Sequence, residues 1–76
     1  MIRELDTIVL THDIEEHDLM RGDVGTVVHC YHDGAAFEVE FVTAEGKTLA
    51  LLTFTEADIR PMNKREILHA REIATV

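Results

Sequence analysis

A chain of 76 residues makes one domain, and one this short buries only about 60% of the surface its unfolded form exposes, so its core is small. Hydrophobic residues at 46% and charged residues at 29% exclude a disordered or collagenous chain. Asp and Glu total 15 against 7 Lys and Arg, and the resulting net charge of -8 repels phosphate backbones, which argues against nucleic acid as a ligand.

Asp6 to Thr11 (DTIVLT) is dense in β-branched residues and reads as a first strand. Residues 11 to 23 (THDIEEHDLMRGD) read as a long acidic loop tucked onto the body by Ile14, Leu19 and Met20, and closed by a turn at Gly22-Asp23. In residues 24 to 31 (VGTVVHCY), strict alternation places Val24, Thr26, Val28 and Cys30 on a core face and Gly25, Val27, His29 and Tyr31 on an outward one. Asp33-Gly34 between two alternating runs signals a hairpin, because glycine accepts the positive φ of a tight turn. Ala36 to Val42 then alternates with Phe37, Val39 and Phe41 inward and Glu38 and Glu40 toward water.

A second turn at Ala44-Glu45-Gly46-Lys47 leads into residues 48 to 54 (TLALLTF), apolar on both faces. Leu52 and Phe54 are taken as its outward, interface-forming side. Thr55 to Asp58 resembles one helical turn capped by Thr55, and Pro61 confines Ile59 to Met62 to an edge or a strand end. Asn63 followed by Glu66 has the form of a capping box and predicts a short C-terminal helix over 66 to 73, with Ile67, Ala70 and Ala74 on one side; a final strand is the alternative. Five short strands, a long first loop and one helical turn before the last strand describe a small, mainly β, SH3-like barrel spanning residues 1 to 76. The two-sided strand needs a cover, either the C-terminal segment or a second copy in a homo-oligomer.

No apolar run approaches the roughly 18 to 20 residues that span a bilayer, and no basic region with a long apolar core opens the chain, so a cytoplasmic location is expected. A single cysteine makes no internal disulfide. Gly22 and Gly25 precede a strand, whereas a phosphate-cradling loop needs the N-terminus of a helix, and no cofactor is expected. His29 and Cys30 are strand neighbours on opposite faces and do not share an ion. A metal or small-ligand site would have to assemble from His12 or His17 on the acidic loop with His29 or His32. Serine is absent, and Cys30 on the inner face is poorly placed for attack, so catalysis is not expected.

The run from Glu4-Leu5-Asp6-Thr7 through Gly22-Asp23-Val24-Gly25-Thr26-Val27-Val28, Glu38-Val39-Glu40-Phe41 and Asp58-Ile59-Arg60-Pro61 to Ile67-Leu68-His69 is similar to an uncharacterised family of small bacterial proteins, a domain of unknown function. The resemblance implies no activity. It implies a context in which relatives are encoded beside other small proteins, as toxin and antitoxin pairs and mobile elements are. The Gly-x-x-Gly-x-Val pattern also loosely resembles the glycine-centred strand of RNA-binding barrels, but Asp23, Asp33 and Glu38 stand where those carry lysine and arginine.

The expectation is a non-catalytic, antitoxin-like or accessory protein that binds a basic partner, without membrane or nucleic-acid contact. Its interaction surface would comprise Glu15, Glu16 and Asp18 on the loop, Val27, His29 and Tyr31 on the outward row, and Leu52 and Phe54. The alternative is a metal- or small-ligand-binding barrel using the loop histidines.

Overall fold

The computed structural model describes residues 1–73. Five antiparallel strands, β1 (Thr7–Leu10), β2 (Val24–Tyr31), β3 (Ala36–Val42), β4 (Thr48–Phe54) and β5 (Ile59–Pro61), form one sheet in the order β4-β3-β2-β1-β5. This is the expected all-β, SH3-like arrangement, with β1 lying between β2 and β5. No helix among the described residues is long and apolar enough to cross a membrane.

The turns fall where glycine permits them. Gly22, Gly34 and Gly46 all have positive φ, at 95°, 98° and 88°, and each sits between consecutive strands. Short 3-10 turns occupy Glu15–His17 in the acidic loop and His32–Gly34 in the β2–β3 hairpin. The loop is pinned as expected by Leu19, which is buried, and by an isolated bridge between Ile14 and Leu19; Met20 instead lies exposed.

The core joins Ile8 and Leu10 of β1, Val27 of β2, Phe37, Val39 and Phe41 of β3, Ala50 and Phe54 of β4, and Ile59 of β5, with Leu19 closing one end. Phe41 and Phe54 meet edge to face at 6.1 Å between ring centroids. Gly25 makes this packing possible. A Cβ there would lie 2.7 Å from Val39 Cγ1 and 2.8 Å from Phe41 Cε1.

The outward placement of Val27 is corrected: its exposure is 0%, and the inward residues of early β2 are Gly25 and Val27. The cause is a register shift between Val27 and His29. Strict alternation assigns one face per parity, but a bulge inserts one residue and reverses the parity beyond it. Val28, the extra residue, is exposed; Cys30 thereby turns inward and packs on the core, while His29 stays outside.

Strand β4 is corrected in the same way. Phe54 is buried and Leu52 packs against the core, while Leu49 and Leu51 are the exposed pair. Register decides this, because Leu52 lies opposite inward Val39 and Leu51 opposite outward Glu40.

Thr55 to Asp58 forms a hydrogen-bonded turn in which the Asp58 carboxylate accepts from the Thr55 N–H and hydroxyl at 2.9 and 3.2 Å. The C-terminal segment is neither of the two expected elements. The capping box itself closes, with the Asn63 N–H donating to Glu66 Oε1 at 2.6 Å and the Arg65 N–H to Asn63 Oδ1 at 2.9 Å. No helix or strand follows over 66 to 73, and Ala74 lies outside the described residues. A helix of this length is marginal without a packed face, since isolated helices shorter than about 12–15 residues are barely stable in water. Here Glu66 is held by Arg60 in a two-pronged ion pair, which takes its carboxyl from 4.5 down to about 2.

Candidate functional site

Two ladders of side chains cross the outer face of the β2–β3–β4 sheet. His29 lies opposite Glu38, which lies opposite Thr53; Thr26 lies opposite Glu40, which lies opposite Leu51. Tyr31, two residues from His29 on the same strand face, meets its ring edge to face at 4.5 Å. The Tyr31 hydroxyl donates to Glu38 Oε1 at 2.9 Å, and this bond to a carboxylate raises the phenol above its ordinary value. The Thr48 hydroxyl donates to Glu40 Oε2 at 2.6 Å. Each carboxylate is thus held by a hydroxyl group, with Glu40 directly across from Leu51, which is 51% exposed, and two residues from exposed Val42. Carboxylates flanking an exposed aliphatic side chain form a surface that a basic, partly apolar segment would complement.

The residues named from sequence divide clearly. His29 and Tyr31 come together on this face, with Glu4 3.4 Å from His29. Glu15, Glu16 and Asp18 are exposed on the first loop, Asp18 in a left-handed conformation after the 3-10 turn. Val27 and Phe54 lie in the core. Leu51 takes the place expected of Leu52, and no count of alternation in β4 alone would have found it, because both faces of that strand are apolar.

The histidines do not converge. His12 donates from Nε2 to Asp58 Oδ1 at 2.8 Å, which raises its pKa above the ordinary 6.5. His17 ends the first 3-10 turn and His32 begins the second, each exposed. Among the described residues no group of three or more His, Cys, Asp and Glu side chains is arranged to hold a metal ion.

Asp23 is the residue whose role sequence reasoning missed. Read as a turn residue, it is only 7% exposed and receives four hydrogen bonds. Arg71 donates from Nε to Oδ1 at 2.8 Å and from Nη2 to Oδ2 at 2.6 Å, His69 Nε2 lies 3.1 Å from Oδ1, and the Met20 N–H donates to Oδ2 at 2.8 Å. Burial by itself would raise this carboxyl, but the Arg71 and Met20 hydrogen bonds outweigh it and hold Asp23 below its ordinary 3.8. Arg71 thereby ties the C-terminal segment to the barrel. An open groove of about 450 Å³ lies alongside, lined by Leu19, Phe41, Val42, Leu49, Arg71 and Ile73 among others. The 46 to 48 residues separating these partners leave no local pattern to read.

No curated protein and no solved structure matches the chain. Residues 4–61 match the family model of a domain of unknown function, DUF4926, and the chain belongs to that family.

Proposed function

We propose that the protein is a non-catalytic interaction module whose acidic outer face binds a basic partner protein, in the manner of an accessory or antitoxin-like protein. The observation that carries the reading is the ladder of Glu38 and Glu40 across from Thr53 and half-exposed Leu51. An apolar contact beside charge combines desolvation with electrostatic selection of the partner. The net charge of -8 extends that selection over the molecule and would speed encounter with a positive surface. Exposed Glu15 and Glu16 on the first loop add to the same field.

The test is affinity capture from the native host at roughly 50 and 500 mM salt, spanning weak and strong screening. A stoichiometric basic protein, recovered at low salt and lost with the double variant Glu38→Gln/Glu40→Gln, supports the reading. Recovery of no stoichiometric partner, or capture indifferent to both charges, overturns it.

A further inference from the structure

Strands β4 and β5 are the two ends of the sheet, so each presents one side of its backbone without a sheet partner. The two edges differ. β5 has three residues and ends on Pro61, which has no N–H to donate, and its Arg60 is engaged by Glu66. β4 has seven residues, Thr48–Phe54, with no proline and no charge. Exposed edges are ordinarily blunted by charge, proline, shortness or a bulge. In a chain of net charge -8 the long edge carries no charge and no proline, and its bulge at Leu49, where the pairing with β3 passes from Ala50 to Thr48, leaves Ala50 to Phe54 in regular register. Just outside it stand exposed Lys47 at one end and exposed Glu56 at the other, and among the described residues neither side chain has an ion-pair partner.

We propose that a second copy of this chain pairs its β4 with β4 antiparallel, about a two-fold axis at Leu51, joining two five-stranded sheets into one. Charge selects the direction. Antiparallel pairing brings each Lys47 beside the Thr55–Glu56 end of the other copy, whereas parallel pairing stacks Lys47 on Lys47 and Glu56 on Glu56. Face selects the register. A two-fold perpendicular to the sheet keeps outer residues opposite outer ones, so it must pass through a residue, and Leu51 is the middle of the strand. Leu51 then meets its own copy outside, while Ala50 meets Leu52 inside, both within the regular part of the strand.

The acidic ladders do not oppose this. Glu40 of one copy is separated from Glu40 of the other by three strand spacings, about 14 Å, beyond the screening length of about 8 Å at physiological salt. Head-to-tail pairing of β4 with β5 would meet the short, proline-ended edge and would give a ring or a filament.

Sedimentation equilibrium of the whole chain from about 10 µM to 0.5 mM reads the association directly. The expected result is a monomer–dimer equilibrium, weakened at least tenfold by Leu51→Lys with the β circular dichroism retained. Lys47→Glu and Glu56→Lys are each expected to weaken the dimer several-fold, and the double variant Lys47→Glu/Glu56→Lys to restore it, since the exchange preserves opposite charges across the axis. These variants stay informative even where Leu51→Lys does not fold. A monomer throughout, assemblies larger than a dimer, or a double variant weaker than either single one overturns the proposal. The glutamates that test partner binding are not touched, so the two ideas fail separately.

Discussion

The five strands and the segment beyond Pro61 both carry aliphatic residues, yet they are held in different ways. The strands bury Ile8, Val27, Phe37 and Val39 completely and share every strand-to-strand backbone bond. Past the Asn63–Glu66 turn, Ile67 to Ile73 make no backbone hydrogen bond among the described residues, and Ile67 and Leu68 are exposed at 93% and 70%. Among the described residues that segment is anchored through its side chains, His69 and Arg71 on Asp23 and Arg71 Nη2 on the Asp18 carbonyl at 2.7 Å. The family match stops at Pro61, where the strands stop. Apolar content therefore does not make a residue part of the core; a repeated register that returns the chain to the same face does.

The sharpest break in this comparison is Val27→Asp. It places an unpaired charge in a fully buried site, a cost of several kcal/mol against a total stability of about 5 kcal/mol for a small domain, and is expected to abolish the folded circular dichroism signal. A folded variant would show that the bulge does not turn Val27 inward. Gly25→Ala should cost about 1–3 kcal/mol in urea unfolding, because Val39 and Phe41 must shift to admit the methyl group; an unchanged midpoint would contradict the close approach.

Arg71→Ala addresses the other region. It leaves the buried Asp23 carboxylate to His69 and the Met20 N–H and should cost about 1–3 kcal/mol, without loss of protected strand amides in hydrogen exchange. It carries a pH signature as well. The folded pKa of Asp23 is depressed, so its contribution is present above the ordinary 3.8 and is lost as pH falls through the lower folded value. The acid limb of the stability curve should flatten in the variant, and an identical limb would mean that Arg71 does not hold the carboxyl down. The smallest effect is expected from Ile67→Ser with Leu68→Ser, under about 0.5 kcal/mol in the same urea measurement despite the loss of two aliphatic side chains. A larger loss would place these side chains in a packed environment.

The outer face was partly legible in the sequence. Alternation in β3 put Glu38 and Glu40 outside correctly, since β3 is regular through both, and His29 and Tyr31 kept their outward side. The same rule failed for Val27 because a bulge costs a single residue and carries no mark of its own in VGTVVHCY. On β4 it chose the wrong side, with Leu52 and Phe54 outward, because Leu51 and Leu52 are the same residue type and only the partners Glu40 and Val39 distinguish them.

By itself the sequence determined the number of strands, the glycine turns between them, the acidic loop and the capping box, all of which depend on residues within a few positions of one another. Tertiary structure decided which face of β2 and of β4 is buried, why Asp23 is a buried anchor rather than a turn residue, and why the C-terminal segment lies as a strap rather than a helix. Each of those depends on a strand register or on partners 46 to 48 residues apart, which only the folded sheet brings together.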